Sequence, residues 1–125
     1  MSTRAPLIPG PDHPITIEPS SAHVVVKAGA AVIADSSNAL TLHEASYAPV
    51  YYVPFAEVDS ELLESSDTTS YCPYKGEASY YSVRTGDGLI KDAIWFYDEP
   101  YDAVSKIAGH VAFYPDRVQI DDSKD

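Results

Sequence analysis

A mainly β domain with two short helices at its ends, an α+β arrangement, is the fold class this sequence predicts, and three observations predict it. Short runs rich in β-branched and aromatic residues recur along the chain, among them His23–Lys27, Ala31–Asp35 and Val50–Val53. Turn residues punctuate the runs, with Ala28-Gly29-Ala30 and Thr85-Gly86-Asp87-Gly88 reading as hairpin connections. Only two stretches carry the three-to-four-residue apolar spacing of a helix. At 125 residues the chain is one domain, long enough to bury a single core.

The elements follow in order. Residues 1–21 hold Pro6, Pro9, Pro11, Pro14 and Pro19, which forbid a helix or a central strand and predict an extended arm over the domain. The domain proper spans 22–120. His23–Lys27 and Ala31–Asp35 form its first hairpin, and Asp35-Ser36-Ser37-Asn38 turns into a third strand, Ala39–Ala45. There Leu40 and Leu42 alternate with Thr41 and His43, the period of a half-buried strand. Val50–Val53 is a short buried strand stopped by Pro54. From Pro54, the spacing of Phe55, Val58, Leu62 and Leu63 predicts the first helix. Tyr80–Arg84 and Leu89–Tyr97 form a second hairpin. The second helix starts at Pro100 behind Asp98 and Glu99, with Tyr101, Val104, Ile107, Ala108 and Val111 on one stripe. Pro115 stops it, Arg117–Ile120 is the last strand, and 121–125 is an acidic, solvated, disordered tail.

Composition removes whole classes of function. The net charge is −11, from eight Lys and Arg against nineteen Asp and Glu. Nucleic-acid binders neutralise phosphates with basic residues, so that partner is excluded, and anionic membrane surfaces with it. No apolar run approaches the roughly 20 residues of a membrane-spanning helix. The first ten residues lack the apolar stretch of a secretory signal. The single cysteine cannot close an internal disulfide, which agrees with a reducing cytoplasm. Structural zinc needs paired cysteines or a His/Cys cluster, whereas His13, His23, His43 and His110 are scattered, so no metal and no other cofactor is expected. Nucleotide-binding glycine loops, serine-hydrolase elbows and zinc-protease helices are missing as well.

Chemistry concentrates in Thr68–Val83, where Cys72, Lys75, Gly76 and Glu77 lie among tyrosines. Cys72 is either a small buried filler or a nucleophile whose thiolate Lys75 would favour. Gly76 predicts a tight turn that projects Lys75 and Glu77 at its rim, as a solvated ion pair, an acid–base pair or an anchor for an anionic ligand. The catalytic candidates are therefore Cys72, Lys75 and Glu77. Ten tyrosines exceed what a core prefers, because each buried phenol needs a hydrogen-bond partner, while a ligand cleft suits them. Trp95 and Tyr97 share one strand face, and Tyr81 is expected beside them from the hairpin partner. Tyr51 completes the expected ligand-binding set of Tyr51, Lys75, Glu77, Tyr81, Trp95 and Tyr97.

Five segments, taken in order, resemble one family. They are Pro9-Gly10-Pro11-Asp12-His13-Pro14-Ile15, Ile33-Ala34-Asp35-Ser36, Pro49-Val50-Tyr51-Tyr52-Val53-Pro54, Cys72-Pro73-Tyr74-Lys75-Gly76-Glu77-Ala78 and Ala108-Gly109-His110-Val111-Ala112-Phe113-Tyr114-Pro115. Together they are similar to the domain-of-unknown-function family 427, from about Pro9 to Ile120. The resemblance implies a β-tent, a fold similar to that of the methionine-R-sulfoxide reductases, in a small cytosolic protein. Its relatives in that fold carry paired zinc cysteines that this sequence lacks, and some hold small molecules in an aromatic cage.

The expectation is a small cytoplasmic β-tent-like domain, monomer or homodimer, that binds an unidentified small molecule in an aromatic-lined cleft. An enzyme using Cys72 or a Lys75–Glu77 pair, and a protein-interaction module using the acidic surface or a strand edge, are the alternatives.

Overall fold

The computed structural model describes residues 6–124 and places them in two antiparallel sheets. The strands are β1 (Ile15–Pro19), β2 (Ala22–Ala28), β3 (Ala31–Ser36), β4 (Leu40–Glu44), β5 (Val50–Pro54), β6 (Leu63–Cys72), β7 (Gly76–Thr85), β8 (Gly88–Phe96), β9 (His110–Phe113) and β10 (Gln119–Lys124). Seven form one sheet in the order β1-β4-β5-β9-β8-β7-β6, and three form the other in the order β10-β2-β3. Among the described residues no helix is long and apolar enough to cross a membrane.

The main core lies between the sheets. Alternation along β2 turns Ala22, Val24, Val26 and Ala28 inward, against Val53, Val83, Ile94 and Val111 of the large sheet. A second apolar cluster forms on the opposite face of the large sheet, from Leu42, Tyr52, Ala78, Tyr97 and Ala112 under Val104 and Ile107.

The mainly β expectation holds, but the two end helices do not form; only short 3-10 turns occupy their places. In the first, Phe55–Glu57 and Ser60–Leu62 are separated by an extended Val58 that bridges Ala34 of β3. Asp59 N donates to Ile33 O at 2.7 Å, so pairing with β3 interrupts the helical ladder. In the second, the 3-10 turn Asp102–Ile107 buries Val104 and Ile107, and Gly109 at φ 76° ends it. The rest of the expected stripe is β9, a central strand whose Val111, Ala112 and Phe113 are all buried. A short apolar run buried on both faces reads equally as helix or as central strand, and the neighbours β5 and β8 decide it.

Three further differences concern edges. Ile15–Pro19 of the expected arm is β1, an edge strand paired with β4 from Ile15↔Glu44 to Pro19↔Leu40, which prolines at its ends permit. Asp121 and Asp122, expected in a disordered tail, pair with Val25 and Val24 of β2, because an edge strand turns acidic side chains to solvent without losing its ladder. β6 is polar throughout Glu64–Ser70, so no apolar period announced it, and pairing with β7 makes it a strand. Residues 1–5 of the arm and residue 125 of the tail lie outside the described residues.

Candidate functional site

The turn that ends β6 builds one end of the site. Cys72 pairs with Gly76 across Pro73-Tyr74-Lys75, and Lys75 N donates to Cys72 O at 3.2 Å. Gly76 adopts φ 114°, and a Cβ at this position would meet Glu99 O at 3.5 Å and Pro100 Cα at 3.9 Å in a later loop. Tyr101 N donates to Lys75 O at 3.0 Å, which fixes the lysine backbone from that loop. Lys75 is only 8 % exposed, and its Nζ donates to Oε1 of Glu44 at the end of β4. The other carboxylate oxygen of Glu44 accepts from His13 Nε2 at 2.8 Å. His13 stacks on Tyr74 at 4.0 Å between ring centres, and Leu7 N donates to Pro73 O at 2.9 Å, so the N-terminal segment clamps the turn. Burial pushes the Glu44 carboxyl up, but hydrogen bonds from Lys75 and His13, with their charges, hold it below its ordinary value.

Rings form the remaining walls. The two-residue turn Gly86-Asp87 sets Thr85 opposite Gly88, so Trp95 faces an even-numbered residue of β7, and the pairing is Tyr80↔Trp95. A bulge around Asp92, which has φ 52°, shifts this ladder by two residues and leaves the faces unchanged. Trp95 Nε1 donates to Tyr52 Oη at 3.2 Å, and the indole lies 4.4 Å from the Tyr114 ring. Tyr80 Oη and Ser70 Oγ share a hydrogen bond of 2.7 Å. Burial pushes the Tyr52 and Tyr97 phenols well up. Burial and a hydrogen bond with Tyr80 push Tyr114 up to about 12. All therefore remain protonated donors at neutral pH.

The result is a cleft of about 320 Å³ with Lys75 and Glu44 at its polar end and Tyr52, Tyr80, Trp95 and Tyr114 among its walls. It displays hydrogen-bond donors on a mostly uncharged surface, since Glu44 already offsets the ammonium. A second cavity of about 280 Å³, between the sheets, shares Ala48, Val50 and Trp95 with the first and is otherwise mostly apolar.

Of the residues expected in the ligand set, Lys75, Trp95 and Tyr97 line the first cleft. Tyr81 does not join them: the pairing Tyr81↔Ile94 turns it to the opposite face, where it stacks on Phe96 at 4.8 Å and on Phe55 at 5.8 Å. Tyr51 also faces away and donates to Asp122 at 2.5 Å, and the cleft residue of that pair is Tyr52, 1 % exposed. Glu77 sits exposed on β7 opposite Tyr71, and the carboxylate that meets Lys75 is Glu44. Cys72 is half-buried against the second apolar cluster. His110 is held by Ala108 O at 2.9 Å near Phe55 and Tyr81, and His43 is exposed on β4, so the histidine at the site is His13. Glu44 and His13 were beyond sequence reading because Glu44 meets Lys75 from 31 residues away, and His13 meets Glu44 from 31 residues away in turn. Tyr80 was within reach, through the parity set by the two-residue turn. No three or more His, Cys, Asp or Glu side chains converge as a metal site among the described residues.

Two facing antiparallel sheets, with an aromatic cleft on the outer face of the larger one, define a small β domain with a walled recess beside a nearly buried ion pair. Residues 16–124 match the model of a family described as a domain of unknown function (DUF427), and the chain belongs to that family. No curated protein matches it.

Proposed function

We propose that the protein binds a small, uncharged, planar molecule carrying a carbonyl or similar acceptor in the cleft between Lys75 and Trp95. The observation that carries this reading is the nearly buried Lys75–Glu44 pair at the foot of a recess walled by Tyr52, Tyr80, Trp95 and Tyr114. Rings supply apolar area for a flat ligand, and a few fixed donors orient it. Lys75 Nζ has hydrogens beyond the one given to Glu44, and Tyr52 Oη keeps its own proton after accepting from Trp95. Both suit an acceptor atom. An anion is a poorer fit than the sequence suggested, because Glu44 cancels the charge of Lys75 and the protein as a whole is acidic. The same acidity supports a small molecule as partner over nucleic acid or a membrane surface.

The test is a thermal-shift screen of ring carbonyl compounds, followed by fluorescence titration of Trp95, the single tryptophan. Binders should raise the melting temperature and change Trp95 emission, and Lys75→Met should remove both responses. Binding that is unchanged in Lys75→Met and in Tyr80→Ala would refute the site. The reading requires no metal, so prolonged chelation should leave the melting temperature unchanged; a drop of several degrees would count against it.

A further inference from the structure

We infer that the cavity between the two sheets is the second half of the same site and takes an aliphatic chain, so that the ligand is an amphiphile: a ring bearing a carbonyl acceptor, with an alkyl substituent. This rests on the reading of the first cleft given above. The two cavities abut at Ala48, Val50 and Trp95, and their chemistry differs sharply. The first ends at an ion pair and phenols. The second is lined by Val24, Val26, Val53, Phe113 and Ile120, with Tyr51 among the few polar-tipped residues.

Sheet geometry explains why they meet. β5 and β9 pair only at Val53↔Val111 and Pro54↔His110, whereas β5 continues back to Val50 along β4. Beyond that short ladder the two strands part, and the sheet has a seam beside Tyr52 and Phe113. Trp95, which pairs with Ala112 of β9, stands in this seam and is accessible from both faces. Its indole is held by one hydrogen bond, to Tyr52 at 3.2 Å. Trp95 is thus a partition between a donor-lined chamber and a mostly apolar one. A ligand ring stacked on it in the first chamber can send a chain past its edge into the second. On the far side Tyr51 donates to Asp122 at 2.5 Å, which joins β5, inside the large sheet, to β10, an edge of the small one.

A series of benzamide, 4-ethylbenzamide, 4-butylbenzamide and 4-hexylbenzamide tests this by calorimetry and Trp95 emission. Affinity should rise about fourfold for each methylene that enters the apolar chamber. It should level off once the chain fills the roughly 280 Å³ available. Ile120→Trp, which fills that chamber from β10, should leave benzamide binding as it was and abolish the dependence on chain length. Ile120→Phe serves the same purpose if the larger ring prevents folding. If benzamide binds but affinity is flat across the series, or the gain survives in the filled variant, the amphiphile inference is overturned and the first cleft stands. If no member of the series binds, both readings fall.

Discussion

The seven-stranded sheet has two faces made by the same strands, and they are finished in opposite ways. Toward the small sheet it presents Val53, Val83, Ile94 and Val111, aliphatic side chains with no polar atom to satisfy. Away from it, the same strands present Tyr52, Tyr80, Trp95 and Tyr97, with only the turn Asp102–Ile107 and the N-terminal segment as cover. A face covered by a second sheet can be built of branched aliphatics, which need no hydrogen-bond partner. A face whose cover runs out needs side chains with an apolar body and a polar tip. Their tips are satisfied mutually, Trp95 by Tyr52 and Tyr80 by Ser70, and the rings still border open space. The candidate site lies where the cover stops.

The largest expected effect contrasts these faces directly. Ile94 is fully enclosed, so Ile94→Ala should cost about 2–5 kcal/mol through lost burial and a residual cavity. Tyr80→Phe on the opposite face removes a half-exposed hydroxyl and should cost less than about 1 kcal/mol. Urea unfolding of both variants measures the contrast; equal losses would mean that the cleft face is as closed as the core. Next in size is Gly76→Ala. A Cβ there meets nothing closer than Glu99 O at 3.5 Å, so the penalty is backbone strain at φ 114°, about 1–3 kcal/mol. Because Gly76 sets the turn that aims Lys75, ligand response should fall together with stability.

Sequence reading recovered the apolar hairpin strands better than the polar edge strands, for a physical reason. β2 alternates in burial, and β3, β5 and β8 announce themselves as branched and aromatic runs between turn residues. β6, β1 and β10 are edges, where hydrogen bonding to a neighbour suffices and composition is free. The first was therefore missed, the second was read as arm, and the last was expected at Arg117–Ile120 and cut short there. The helical stripes at Phe55–Leu63 and Tyr101–Val111 were genuine apolar patterns assigned to the wrong geometry. Pairing of Val58 with Ala34, and of Val111 and Ala112 with β5 and β8, is long-range and leaves no local trace. For the site, Lys75, Trp95 and Tyr97 were legible from turn chemistry and alternation. Choosing Tyr52 over Tyr51 needed to know which face of β5 was covered. Glu44 needed the tertiary packing that brings the end of β4 to the Cys72–Gly76 turn, although β5, β9 and β8 stand between β4 and β7 in the sheet.

A smaller effect tests the polar end of the cleft. The Glu44 carboxyl is held below its ordinary value of 4.5 in the fold, so the unfolded chain binds the proton more readily. The resulting stability is present above that value and is lost as pH falls through the lower one. Glu44→Gln should cost roughly 1 kcal/mol at neutral pH, through exchange of charge-assisted hydrogen bonds for neutral ones. It should also flatten the acid limb of the stability curve. Asp92, held low by hydrogen bonds from Ser66 and Thr68, acts in the same direction, so the limb should shrink without vanishing. An acid limb identical to that of the unaltered chain would show that Glu44 is not charged against Lys75 in solution.

The smallest effect lies where the two sheets are linked, at the contact of Tyr51 on β5 with Asp122 on β10. The bond is short but exposed, so Tyr51→Phe should cost under about 1 kcal/mol at neutral pH. Its signature is in alkali. The hydrogen bond to Asp122, followed by burial and the carboxylate charge, pushes the Tyr51 phenol from 10.0 up to about 12. A group whose value is raised on folding adds stability that is full below its unfolded value and is lost as pH rises through the folded one. Between about 10 and 12, then, the unaltered chain should lose stability faster than Tyr51→Phe, and the two curves should converge. Tyr52, Tyr97 and Tyr114 are also raised, but by burial on the cleft face, so their share of the alkaline limb should persist in the variant. Asp122→Asn separates the contributions further, since it keeps an acceptor while removing the charge. If Tyr51→Phe leaves the difference between pH 8 and pH 11 unchanged, the tether is open in solution, and access to the apolar chamber is then wider than the hydrogen bond between β5 and β10 implies.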